Sequence, residues 1–532
     1  MKLKKTRLSA IVLTLLALGC FSSCIDINQV SGGNDKLSQL LNIIGNQYVD
    51  TVNVNGLIER TIPKVLGELD PHSVYIPAKD AEESNQELKG SFSGIGIQFM
   101  IQSDTIYVSD VISGGPAEKV GLMAGDRIVT IDDSLYVGKK INNDGAMKRL
   151  KGPKDSEVKL GIKRYGEDEL VHFTIVRGNI PVKSIDASYM IDGRWCYIRA
   201  NKFGETTYPE MLIALAKGMQ QDMKGCIIDL RGNTGGYMIA AIQMVNEFLP
   251  KGEMIVYTEG ANSPRYAEFA NGRGTCQKLP IVVLTDETSA SASEIFAGAI
   301  QDNDRGTIIG RRTFGKGLVQ QSISFDDGSA VRLTISRYHT PSGRCIQKPY
   351  TNGENEKYEL DLLNRYEHGE FFTQDSIKQD ETNVYQTKNG RTVYGGGGIM
   401  PDIFVPHDTT GYTSYYAAVA KMGLFTRFPF EYTDKNRQTL SKYTTMEELL
   451  QYLKSQDLME QFVQHATSKG IKRRNDLIRQ SRTVMEEILY GNIIYNVLGM
   501  EEYVKYLNLS DPVVLKAVEV LDKGKSLPRN EN

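Results

Sequence analysis

Between residues 190 and 345, short apolar runs alternate with stretches of helical periodicity, and this alternation constrains the fold more than any other feature. The runs are "WCYIRA" (195–200), "GCIIDL" (225–230), "PIVVLT" (280–285) and "GTIIG" (306–310). Each is too short for a helix and reads as a strand. Residues 205–223, 237–249 and 291–304 read as the intervening helices. Strands separated by helices pair in parallel, so this region is expected to form an α/β core around a mixed, largely parallel sheet.

The rest of the chain surrounds that core. At 532 residues it exceeds what one hydrophobic core organises, and three or four domains are expected. Residues 25–85 form an N-terminal region: a polar tether, then helical spacing from Leu40 through Ile44 and from Leu57 to Leu66, ending at "LDPHSVYIP". Residues 86–180 change character. There "GIGIQFMI", "TIYVSDVI", "RIVTIDD" and "EVKLGIKR" read as short strands between Gly and Pro turns, with "GPAEKVGL" as one helical piece. The core occupies 181–410, with the polar stretch 350–393 as a surface insertion, and "GGGGIMPDIFVP" returns the chain to it. Residues 411–532 are helical by pattern, and no internal repeat is visible. The net charge of −3, with acids and bases mixed, carries neither a nucleic-acid footprint nor a polybasic membrane patch.

The N-terminus reads as an export signal. "MKLKKTR" is a positive n-region, and "LSAIVLTLLALGCF" is an apolar h-region too short to span a bilayer. It runs into Cys20 and Cys24, and residues 1–24 resemble a bacterial lipoprotein signal in which one cysteine is lipidated. "SSC" before a polar tether favours Cys24, with Cys20 as the alternative; an ordinary cleaved signal peptide is the plainer reading. Either way the chain leaves the cytoplasm for the cell envelope. Cys196, Cys226, Cys276 and Cys345 are scattered, without the C-x-x-C or C-x-x-H spacing of a zinc site. Cys196 and Cys226 lie in apolar runs and read as buried thiols. A disulfide among the four stays open.

"GRRTFGKG", residues 310–317, fits seven of the eight places of a phosphate-binding loop. Gly317 stands where the Mg²⁺-binding hydroxyl belongs, and "LVQQSISF" alternates like a strand instead of opening a helix. Lys316 therefore needs another role. Twenty-five residues upstream, "SASASEIFAGAIQD" (289–302) follows a strand. Ala292, Ile295, Phe296, Ala299 and Ile300 share one helix face, which puts Ser291 at the helix start. Ser291 and Glu294 have the spacing of a capping box. A serine there can also be a nucleophile with backbone amides beside it. Both readings are open, and they are compatible.

None of the six histidines (His72, His172, His339, His368, His407 and His465) stands in a hydrolase or metal context; His72 and His339 read as hydrogen-bonded structural residues. A neutral lysine can replace histidine as base. Bringing its pKa from about 10.4 to near 7 costs roughly 4 kcal/mol of desolvation. Flanking glycines in "TFGKG" let backbone approach closely enough to exclude water. A solvated surface lysine is the plain alternative. A second Gly-rich turn, "GCIIDLRGNTGG" (225–236), ends a strand with Asp229 and Arg231. It can aim amides at a reacting carbonyl or be a simple tight turn.

Together, "DLRGNTGG", "SASASEIFAGAIQD", "TFGKGLVQ", "LDPHSVY" and "GSFSGIGIQF" resemble the carboxy-terminal processing (tail-specific) serine peptidases, in that family's order, over most of residues 37–407. The resemblance implies an exported endopeptidase with a Ser–Lys dyad that needs no metal or cofactor. Its serine is Ser291, its base Lys316, its lysine-orienting residue Gln320, and Asp302 a supporting acid. Oxyanion donors would be the amides of Ala292 and Gly235, with Gly236 as a further candidate. Residues 86–180 resemble a PDZ domain of β-sandwich type. Gly94, Ile95, Gly96 and Ile97 match its carboxylate-binding loop, and an apolar pocket is expected near Ile95 and Ile97. "IPVKSI" (180–185) would link tail capture to the cleavage groove. Implied partners are protein or peptide substrates with free C-termini, a membrane through the N-terminal lipid, and self-association or an adaptor at the C-terminal helices. Two other classes compete: a non-catalytic PDZ adaptor on a degenerate peptidase scaffold, and nucleotide binding at Gly310–Lys316.

Overall fold

The computed structural model describes residues 34–81, 90–102 and 104–527. The stretch expected to be an export signal, with Cys20 and Cys24, lies outside the described residues. The chain divides into two compact units, residues 1–64 and 65–532. The first contains helix Asn34–Gln47 and most of helix Val54–Gly67. Among the described residues no helix is long and apolar enough to cross a membrane.

The core of the second unit is a six-stranded sheet in the order Ile185–Ile191, Trp195–Ala200, Gly225–Asp229, Ile281–Thr285, Thr307–Gly310, Ile403–Phe404. Only the first pair is antiparallel; the rest run parallel. Residues 281–285 and 225–229 are buried throughout, as expected of a parallel sheet covered on both faces. On one face lie helices Thr207–Gln220, Met238–Asn246 and Ala292–Asp302, sharing a core with Ile198, Ile228 and Val283. The other face is closed by the C-terminal helices Met500–Leu507 and Pro512–Asp522. Their Val504, Val513, Val514, Ala517 and Leu521 pack on Tyr197, Ile227, Val282 and Ile309. The end of the helical region is thus a layer of the α/β core. The rest of that region builds its own core around Phe428, Phe462, Met485 and Leu489.

Residues 91–176 form the expected module of short strands. Its sheet runs Ile97–Gln102, Thr105–Val111, Arg127–Ile131, Glu157–Lys163, Val171–Val176. Helices Pro116–Lys119 and Asn143–Leu150 accompany it. Pattern reading misses the second helix, whose polar sequence buries only Ala146 and Leu150. Strand Gly178–Pro181 and the core's edge strand Ile185–Ile191 are joined by the "IPVKSI" segment.

A second mixed-length sheet carries Val74–Ile76, Ala330–His339, Met254–Gly260 and Ser263–Phe269, with Leu318–Ser324 paired to Ala330–His339. Residues 318–324 are therefore strand, which denies the phosphate-loop reading its helix. The segment 350–393 is no peripheral insertion. Its buried Arg365 donates to the Thr313 and Arg312 carbonyls (3.1 and 2.8 Å) and pairs with Glu370. It thereby props the loop that bears Lys316.

Candidate active site

The three serines of "SASAS" are used differently. Ser289 and Ser293 are fully buried. Their hydroxyls donate to the carbonyls of Leu230 and Asn233, both at 2.8 Å. Ser291 alone is partly exposed. Its backbone sits at φ 57°, ψ −113°, a costly conformation for a residue with a Cβ. The strand-to-helix turn holds it at the start of helix Ala292–Asp302.

The capping box forms, and Glu294 does more than cap. Its fully buried carboxylate accepts the Ser291 amide at 2.9 Å. It also accepts the amides of Lys316 (2.8 Å) and Gly315 (2.7 Å) and the Thr313 hydroxyl (2.5 Å). Burial raises its pKa against these hydrogen bonds. A second bridge comes from buried Tyr338, whose hydroxyl lies 3.1 Å from the Ser291 carbonyl oxygen and 2.8 Å from that of Lys316. Residues 25 apart in sequence are thus held together through their backbones. The capping spacing of Glu294 was visible in the sequence; its reach to residues 313–316 and the role of Tyr338 depend on long-range packing.

Lys316 is half-buried, and burial, then the Arg332 charge, lowers its pKa against Glu294 and Asp70. The flanking glycines work as the sequence suggests. A Cβ on Gly315, at φ 90°, would meet Lys348 Cβ at 3.1 Å, and one on Gly317 would meet the Gln347 amide at 2.8 Å. Among the described residues the Lys316 amine makes no hydrogen bond or ion pair; its bonds run through its amide and carbonyl. Gln320 does not touch that amine either. Its amide donates weakly to Thr334 Oγ1 (3.4 Å), which donates to Asp70 Oδ1 (3.0 Å). Asp70 and His72, both from "LDPHSVY", therefore belong to the lysine's surroundings. His72 bonds the Tyr358 hydroxyl at 2.8 Å, and burial, then Lys316, lower its pKa to about 4.

The "DLRGNTGG" loop meets the serine turn directly. The Asn233 carbonyl accepts the Ala290 amide at 3.0 Å. A Cβ on Gly235 would lie 2.7 Å from Ser291 Cβ, so only glycine fits. The Gly235 amide, however, donates to Asn233 Oδ1 at 2.9 Å. Among the described residues the amides of Ala292 and Gly236 have no intramolecular acceptor, so of the three expected oxyanion donors only the Gly235 amide is already taken. Buried Asp229 pairs with half-buried Arg231 at 2.6 Å and also accepts the Tyr197 hydroxyl (2.6 Å). They anchor the loop from below.

Asp302 does not join this site. It ends the helix that Ser291 begins, eleven residues on, about 16 Å along the axis. There it pairs with Arg344 at 2.7 Å, both side chains fully buried. Its support is structural. In the 91–176 module, Ile95 and Ile97 are buried in the module's own core and do not line an open surface. Gly94 is buried, and Gly96 takes φ 82° against Gly115 and Pro116. The carbonyls of Ile95 and Gly96 accept the amides of Ala117 and Ile112 at 2.8 and 3.0 Å. The four internal cysteines are free thiols, with Cys196, Cys226 and Cys276 buried. His339 bonds the Gly343 carbonyl at 3.0 Å and stacks on Tyr257. Among the described residues no group of acids, histidines and cysteines could hold a metal ion.

Comparison with known proteins gives three family matches: peptidase family S41 over residues 194–353, a PDZ domain over 93–175, and a family of unknown function over 415–499. A carboxy-terminal-processing protease of Bartonella bacilliformis is 38% identical over 317 residues, covering 59% of this chain and 72% of that protein. The carboxy-terminal processing protease CtpA of Bacillus subtilis is 34% identical over 347 residues, covering 64% and 73%. Among solved structures, a photosystem II D1 C-terminal processing protease aligns with a TM-score of 0.36 and 23% identity, covering 71% of this chain and 94% of that one.

Proposed function

Since the chain belongs to peptidase family S41 and carries a PDZ domain, we propose that it is a lipid-anchored endopeptidase of the cell envelope that cleaves with a Ser291–Lys316 dyad. It is a carboxy-terminal processing serine peptidase by descent; the dyad, the anchor and the location are our reading. One observation carries the dyad. Ser291 is the serine of its turn left partly exposed, and the Glu294 carboxylate takes both its amide and that of Lys316.

In this mechanism neutral Lys316 takes the Ser291 proton as Oγ attacks a peptide carbonyl. The Ala292 and Gly236 amides stabilise the oxyanion. The lysine returns the proton to the leaving amine, and water then hydrolyses the acyl-enzyme. Desolvation of the amine, already expressed in its lowered pKa, makes the first transfer feasible. Substrates enter as protein tails captured at the PDZ domain. Hydrolysis of a peptide with a free carboxyl end by wild type, Ser291→Ala and Lys316→Ala tests the assignment. Both variants are expected to lose turnover by several orders of magnitude; equal turnover by Ser291→Ala overturns it in favour of a scaffold without this chemistry. Lipidation at Cys24, with Cys20 as the alternative, rests on the signal-like N-terminus. A Cys24→Ser chain is expected to leave the membrane fraction for the soluble one.

A further inference from the structure

The helices that match a family of unknown function pack on one particular face of the PDZ sheet. Among the described residues, strand Ile97–Gln102 is an edge of that sheet, paired only with Thr105–Val111. Successive side chains of a strand point to opposite faces. Phe99 and Ile101 go to the module's core, and Gln98, Met100 and Gln102 to the other face. That outer face is where the helical region binds. The Tyr495 hydroxyl donates to Gln98 Oε1 at 2.7 Å, and the Gln102 amide donates to Glu431 Oε1 at 2.8 Å. One strand inward, Phe430 meets Tyr107 edge-on at 5.5 Å, and on the strand beyond, Asp434 pairs with Arg127 at 3.0 Å.

Among the described residues, two buried polar atoms at this junction have no partner. Gln102 Oε1 and His465 Nε2 accept and donate nothing, although His465 lies 3.8 Å from Glu431. An orphaned buried polar group is costly.

We propose that residues 415–499 form the second wall of the tail-binding groove, reading the side chains that a bound tail turns away from the PDZ core. This rests on the PDZ reading of tail capture given above. A tail added to the Ile97–Gln102 edge alternates its side chains like the edge itself. Every second one, beginning with the penultimate, faces Tyr495, Glu431 and the orphaned Gln102 oxygen. The wall therefore selects a hydrogen-bonding side chain (an amide, hydroxyl or ammonium) at those positions, while the terminal residue is read on the other side.

The test measures binding of fluorescein-labelled decapeptides to the full chain in a Ser291→Ala background. A free-acid peptide with glutamine at the penultimate and alternate positions is compared with the same peptide carrying alanine there, and with its C-terminal amide. Alanine is expected to weaken binding about three- to tenfold, the worth of a hydrogen bond or so. In Tyr495→Phe/Glu431→Met, which removes the polar contacts but nearly keeps side-chain volume, glutamine and alanine peptides are expected to bind alike. Unchanged discrimination in that variant overturns the wall alone. Equal binding of acid and amide by the parent chain overturns tail capture and the wall with it. Equal melting temperatures of parent and variant keep a loss of fold from passing as support.

Discussion

Glutamine at position 294 would keep the side chain's shape and replace one acceptor oxygen by a donor facing other donors. The carboxylate now serves four donors from both halves of the site. Glu294→Gln is expected to lower kcat about 100-fold, the scale of an ångström-sized misplacement of reacting groups, with KM for a tail peptide nearly unchanged. Steady-state kinetics checks this; a loss confined to KM would contradict it. His72 offers a control. Its pKa of about 4 leaves it neutral above pH 5, so His72→Asn is expected to leave the apparent pKa values of kcat/KM between pH 5 and 9 in place. Much at this scale was legible in the sequence: Ser291 from its helix start, Lys316 from its flanking glycines, Gly235 from its loop. What was not legible is what distance in sequence hides. Tyr338 looks like any strand tyrosine, and the Gly235 amide is consumed by a side chain two residues away.

Helix Ala292–Asp302 joins two ends with different tasks. Its first turn presents the serine; its last turn carries a buried ion pair. Removing one partner of such a pair strands the other charge in the interior, typically at about 3–5 kcal/mol. Asp302→Asn is expected to lower the unfolding free energy, read from a denaturant titration, by that amount while the remaining folded enzyme keeps its kcat. A variant that is fully stable and slow would return Asp302 to the chemistry. Periodicity revealed this helix and the strands around it because their burial is one-sided or complete. It passed over Asn143–Leu150, whose buried face is two residues. It also left 350–393 at the surface, because its buried apolar residues Tyr358, Phe371 and Val393 are scattered, and buried Arg365 and Glu370 are charged and become core only through each other.

For the whole molecule, the last helices are the telling part. Residues 500–522 cover a face of the central sheet, so a chain cut at residue 410 leaves Ile227, Val282 and Ile309 without their cover. Such a truncation is expected to be insoluble or to melt without cooperativity, as seen by circular dichroism. A cooperative, soluble fragment would make the helical region a separate domain, as the sequence pattern alone suggests. The sequence shows these helices but not what they cover, since an amphipathic stripe does not name its partner.

The central claim is that an amine deprived of water acts as the base for Ser291. Its folded pKa lies below the ordinary lysine value, so the folded state sheds the proton first. Stability is then penalised at low pH and recovers as pH rises through the folded pKa towards the ordinary value near 10.4. The most direct measurement is the pH dependence of kcat/KM on a peptide with a free carboxyl end, for wild type and Lys316→Arg. The prediction is a rise with pH whose midpoint falls clearly below the ordinary lysine value, and no turnover from the arginine variant at any pH. A flat profile, or an arginine variant as fast as wild type, would contradict it.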